Sequence, residues 1–160
     1  MIRLWAPWRM SYVAGTSVQA GCIFCHALAS DDDAKLFVLQ RRRHAFLILN
    51  AYPYTPGHLM AVLNRHVGTL AEATPEEMAE AMSLAGLATR VLAEEYRADG
   101  FNVGLNQGRV AGAGIEGHLH VHVVPRWSGD NNFMSVLGDT RVLPESLDAT
   151  YARLKGRLSG

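Results

Sequence analysis

Net charge is the first thing this sequence lacks: 15 lysines and arginines balance 15 aspartates and glutamates. A whole-molecule attraction to nucleic acid or to an acidic membrane is therefore not expected. The only basic run, Arg41-Arg42-Arg43, is short enough to be a solvated strand end. Long apolar runs are missing too. No stretch approaches the roughly 20 apolar residues of a membrane span. The opening MIRLWAPWRMSYVAG has no apolar core of signal-peptide length. The expected location is the cytoplasm. Cysteine is scarce, with 2 in 160 residues, both inside GCIFC. In a chain without a secretory signal, that spacing points to a metal site or a redox pair. There is no internal repeat and no low-complexity tract.

What is present is globular. The apolar fraction is 49% and the charged fraction 19%, in a chain of one ordinary domain. Residues 1–20, with Trp5, Trp8 and Tyr12, read as an irregular arm that packs on something, such as a partner subunit. A short helix is expected over 22–29. Strands are expected over 35–40, 44–50, 58–64, 101–106 and 118–126, where branched and aromatic residues concentrate. Thr74-Pro75-Glu76-Glu77 is a capping box with proline at the first helical position. Met78, Ala81, Met82, Ala85, Ala88, Val91 and Leu92 then keep helical spacing, with Gly100 as the stop, so a helix is expected over 75–97. A second helix is expected over 144–158, starting at Pro144. Short strands in adjacent pairs suit hairpins, and the whole suits an α+β fold with an antiparallel sheet.

Residues 117–127 read GHLHVHVVPRW. In a strand, side chains alternate faces, so His118, His120 and His122 share one face and Leu119, Val121 and Val123 the other. The apolar face is expected in the core, and the histidine face somewhere else. A polar strand face accounts for one histidine better than for three in strict alternation. Three imidazoles in a row would repel if all were charged, so the row makes sense facing a metal, an anion or both. Two chemistries compete: a catalytic metal held by the three rings, or attack on a phosphate by one imidazole with another as donor. Period and composition do not separate them.

HLHVHVVPR resembles the signature of the histidine triad (HIT) superfamily, His-φ-His-φ-His-φ-φ with φ apolar. FLILNAYPYTPGHLMAV (46–62) is similar to that family's nucleoside-binding hairpin, and NVGLNQG (102–108) to its second nucleotide-contact strand. The start LWAPWRMSYV and the tail PRWSGDNNFMSV resemble the branch of bacterial diadenosine tetraphosphate phosphorylases. The resemblance implies one HIT domain over 1–160, with 1–20 as an arm and 128–160 as a C-terminal extension. It implies a sheet of about five antiparallel strands with one long and one C-terminal helix, in a homodimer. The long helix and the aromatic arm are candidate interface elements.

The activity implied is transfer or hydrolysis at the α-phosphorus of an adenine nucleotide or dinucleoside polyphosphate. His120 matches the nucleophile, activated as neutral imidazole with its other nitrogen donating to the carbonyl of His118. His122 matches a donor to phosphate oxygen. Asn50 matches the ribose contact, His58 the histidine near the α-phosphate, and Gln107 an amide against the phosphates, with Asn106 as its substitute. The family's glutamine or hydroxyl just before the triad is missing here, where Gly114 and Ile115 stand. Gly114 and the neighbouring glycines can offer backbone N–H groups instead. Zinc-bearing members complete Cys-x-x-Cys with a histidine after the second hairpin strand and the first triad histidine. Those positions are His66 and His118, giving with Cys22 and Cys25 a closed structural zinc site and no organic cofactor. His26 is a rival ligand, and His44 reads as a strand-end residue.

The acceptor stays open: water gives AMP and inorganic phosphate gives ADP. The alternatives are a nucleoside phosphoramidate hydrolase of the same family, a non-catalytic nucleotide-binding sensor, and a metallohydrolase. The last is disfavoured because no acidic residue follows in the triad strand.

Overall fold

A computed structural model describes residues 21–130 and 145–158. The arm with Trp5, Trp8 and Tyr12, and residues 131–144 with Pro144, lie outside the described residues. In chain order the elements are α1 (Ile23–Ala29), β1 (Val38–Arg41), β2 (Ala45–Leu49), β3 (Leu59–Leu63), α2 (Pro75–Tyr96), β4 (Gly100–Gly104), β5 (His120–Arg126) and α3 (Leu147–Leu158). A short 3₁₀ turn, Arg109–Ala111, lies between β4 and β5. The five strands form one antiparallel sheet in the order β1-β2-β3-β5-β4. The α+β architecture and both expected hairpins are present. The β3–β5 pairing joins them, with Met60 opposite His122 and Val62 opposite His120.

β2 and β3 are buried along their whole length because the sheet is covered on both faces. Leu47, Leu49, Leu59, Ala61, Leu63, Val121 and Val123 pack towards α2. Phe46, Ile48, Met60 and Val62 pack towards Phe24 and Ala27 of α1. This corrects one expectation. The histidine face is not outside the core but forms part of a second, smaller one: His118 is 0% exposed and His120 5%.

Other boundaries differ for identifiable reasons. The strand expected over 35–40 begins only at Val38, because Phe37 takes a left-handed φ of 58° and breaks the extended chain. The capping box of α2 is present, with Glu77 N donating to Thr74 Oγ1 and Thr74 N to Glu77 Oε2. That helix ends at Tyr96 because Arg97 adopts αL, so Gly100 is not the stop but the first residue of β4. Met82 faces solvent, and Leu84 takes the core position. α3 begins at Leu147, three residues beyond Pro144, where Ser146 Oγ accepts from Ala149 N at 3.2 Å.

Candidate active site and metal centre

β5 starts where the long loop from β4 returns to the sheet beside β3. Leu119 N donates to Val67 O at 2.7 Å and Leu63 N to Leu119 O at 3.2 Å, which locks His118 against the end of β3. His118 Nε2 lies 2.6 Å from Leu63 O, so Nε2 carries the proton. Its Nδ1 lone pair then faces Cys22 Sγ at 3.3 Å and Cys25 Sγ at 3.6 Å. His66 Nδ1 is 3.2 Å from Cys25 Sγ. One ligand atom from each of Cys22, Cys25, His66 and His118 lies within 4.8 Å of the other three. Tetrahedral zinc with bonds of about 2.0–2.3 Å sets neighbouring ligands about 3.5 Å apart, so the donor set and its spacing fit that ion. The four expected ligands are therefore brought together, while His26 lines a neighbouring cavity instead.

Local packing holds this centre in place. Arg65 grips the Glu77 carboxylate with two hydrogen bonds of 2.8 Å, tying the turn that carries His66 to the start of α2. That guanidinium holds the Glu77 carboxyl down at about 2. Gly117 lets the His66 ring lie against the loop, since a Cβ there would sit 3.0 Å from His66 Nε2. Burial, followed by the adjacent Cys22 thiol, pushes the Cys25 thiol up from its ordinary range.

His120 Nδ1 lies 2.8 Å from His118 O. A carbonyl only accepts, so Nδ1 carries the proton and Nε2 keeps its lone pair. Burial pulls the His120 pKa below its ordinary value, and the hydrogen bond to His118 O opposes this only in part. Burial likewise lowers His118, with the Leu63 carbonyl opposing and His66 and His120 adding to the fall.

The second pair is His58, on the residue before β3, and His122. Tyr54 N donates to His58 Nδ1 at 3.1 Å, which leaves the proton on His58 Nε2. That nitrogen is 2.9 Å from His122 Nδ1 and donates to it. A neutral His122 therefore carries its proton on Nε2. A backbone amide thus fixes two tautomers in series. Asn50 Nδ2 lies 3.5 Å from His58 Nε2, too far and donor to donor, while its Oδ1 accepts from Tyr52 N at 2.8 Å.

His120 and His122 close the polar end of a cavity of about 330 Å³. Phe24 of α1, Phe37, Ile48 and Met60 line its apolar part, and Asn50 and Gly114 its rim. Gln107 is not among the lining residues; its Oε1 accepts from Leu70 N at 2.8 Å. Asn106 Nδ2 donates to Gly112 O at 3.4 Å, steadying the loop rather than facing the cavity.

Sequence reasoning missed Phe24, whose ring lies 5.3 Å from that of His118 and 5.0 Å from that of His120. It also missed Tyr54, 4.7 Å from the His58 ring. The aromatic residue inside GCIFC and the turn tyrosine were visible, but their partners lie across the fold or across a turn.

The family model described as "HIT domain" matches residues 32–129. The AP-4-A phosphorylase of Mycobacterium tuberculosis is 42% identical over 156 residues, spanning 92% of this chain and 80% of that protein. A zinc-bound histidine triad family protein from Mycobacterium smegmatis superposes with a TM-score of 0.71 at 26% identity, over 87% of this chain and 94% of that one. The Plasmodium falciparum diadenosine triphosphate hydrolase shares the fold, with a TM-score of 0.62 at 16% identity over 78% of each chain.

Proposed function

The chain belongs to the HIT domain family, and from that membership we propose that it is a dinucleoside polyphosphate phosphorylase, acting on substrates such as diadenosine tetraphosphate. The observation that carries the reading is the 2.8 Å contact between His120 Nδ1 and His118 O, which leaves His120 Nε2 a nucleophile at the cavity's polar end. The base and ribose occupy the apolar cavity, with Asn50 at the ribose hydroxyls. His120 Nε2 attacks the α-phosphorus. A phosphorus–nitrogen bond forms, the bond to the bridging oxygen breaks, and ATP departs. His122 Nε2–H donates to the oxygen on which charge develops, and His58 holds it in that tautomer. Inorganic phosphate then attacks phosphorus, the bond to His120 breaks, and ADP leaves. Water in that place would give AMP. Gly114 and its neighbours supply backbone N–H groups to the phosphates, in place of Asn106 and Gln107, which bond to Gly112 O and Leu70 N.

Cys22, Cys25, His66 and His118 hold zinc in this reading, as a closed four-ligand cross-link with no position for substrate. No organic cofactor is required. Two copies assemble as a homodimer. The protein works in the cytoplasm as one domain over 1–160; among the described residues no helix is long and apolar enough to cross a membrane.

Incubation with diadenosine tetraphosphate, with and without phosphate, followed by nucleotide separation, tests the reaction. ATP and ADP should appear only with phosphate. ATP and AMP in its absence would make the enzyme a hydrolase. No cleavage in either case would overturn the substrate and direct attention to phosphoramidates.

A further inference from the structure

The family match ends at residue 129, so α3 lies beyond it. This helix packs on β1, the strand at one end of the described sheet. There the register slips: Val38 pairs with Ile48 but Gln40 with Leu47, so Leu39 is one residue too many. Just before the slip, Phe37 holds φ at 58°. A bulky residue keeps a left-handed backbone only where its surroundings enforce it.

Phe37 N donates to Ala34 O at 3.3 Å and Leu49 N to Phe37 O at 3.1 Å, and α3 adds contacts to the Phe37 ring and to the residues that follow it. Tyr151 OH donates to Val38 O at 3.2 Å. Lys155 Nζ donates to Val38 O at 3.1 Å and to Leu39 O at 3.0 Å, and pairs with Asp33 Oδ2 at 3.6 Å. The Tyr151 ring meets the Phe37 ring edge-on at 6.0 Å. Leu154 and Leu158, 0% and 1% exposed, anchor the helix behind them. Phe37 also lines the cavity that ends at His120 and His122.

We propose that α3 is a clamp on the nucleoside wall of the cavity, with Tyr151 and Lys155 as positioning residues that set substrate affinity through Phe37. The inference rests on the nucleotide reading of that cavity. The clamp touches β1 and the wall, whereas the nucleophile sits on β5. Its loss therefore moves affinity and leaves the chemical step alone.

The test uses the full chain carrying Tyr151→Phe and Lys155→Met, which keep the ring and the apolar stem but remove the donors. AMP affinity is measured by calorimetry, and KM and kcat on diadenosine tetraphosphate, at a temperature where circular dichroism reports a folded protein. AMP affinity and KM should weaken about tenfold, the size of coupling found between residues in contact, while kcat changes less than about twofold. A lower melting point with unchanged KM and AMP affinity would reduce α3 to a structural prop and overturn the proposal. Phe37→Leu, with the donors intact, should weaken AMP to a similar extent, and adding the α3 changes to it should have little further effect. Full additivity would also count against the clamp. Should the unaltered chain neither bind AMP nor cleave the dinucleotide, the nucleotide reading falls and the clamp falls with it. Should the unaltered chain bind and the double variant bind equally well, the clamp alone falls.

Discussion

His120 has one ring nitrogen committed to a carbonyl and the other left as a base in a buried setting. Burial lowers its pKa below the ordinary 6.5 of histidine. The sign follows directly. Below the lowered value the ring is an imidazolium and has no lone pair to attack with; above it the neutral ring is ready. The acid limb of kcat/KM should therefore have its midpoint below pH 6.5, and a pH–rate profile with a midpoint above 6.5 would contradict the assignment. Stability carries the same sign: the unfolded chain takes up this proton first, so stability falls as pH drops from 6.5 through the lowered value. Replacing His120 with Asn should cut kcat by at least about 1,000-fold, as losing a nucleophile does elsewhere. AMP affinity, measured by calorimetry, should stay close to that of the parent.

Among the described α-helices, α1 is the shortest and does the most. Seven residues carry Cys25, Phe24 and part of the cavity wall, and Cys22 immediately precedes them. Without a metal the helix is held by its small apolar cluster and by the Arg41 guanidinium, which donates to Ala27 O at 2.7 Å and to Leu28 O at 3.3 Å. The purified protein should contain about one zinc per chain, and Cys25→Ser or His66→Ala should abolish it by elemental analysis. Stripping the ion should lower the melting point by about 6–12 °C, which is about 3 kcal/mol for a chain of this size. An unchanged melting point after complete removal would deny the centre its structural role. This element also marks the limit of what could be read from sequence. The Cys-x-x-Cys spacing, the capping box at Thr74 and the alternation of the triad are local patterns, and each was legible. The extra residue at Leu39, held by Lys155, and the packing of Phe24 between two histidines depend on groups far along the chain. No periodicity encodes them.

At the scale of the whole molecule, the sheet has two different edges. α3 covers β1, while β4 ends the other side with Asn102, Val103 and Gly104 exposed. An exposed edge strand invites another strand. β4 therefore joins α2 and the arm as a candidate contact for the proposed homodimer. Light scattering should give twice the 17.5 kDa of the chain, and Val103→Lys should shift it towards one chain. A monomeric parent would rule the dimer out. The class of the fold and the order of its hairpins were legible because apolar runs and turns alternate at hairpin spacing. The β3–β5 junction was not, since it joins strands nearly 60 residues apart.

That junction has a consequence at His118. One of its nitrogens grips the end of β3, the other faces two thiols, and its carbonyl sets the ring of His120. Cysteine could stand in for the ligand but not for the donor, and an amide could stand in for the donor but not readily for the ligand. One side chain therefore serves sheet closure, the proposed zinc centre and the proposed nucleophile. Replacing His118 would disturb the strand junction, the proposed zinc centre and the proposed nucleophile at once, whereas loss of Cys22, Cys25 or His66 would reach the ion alone.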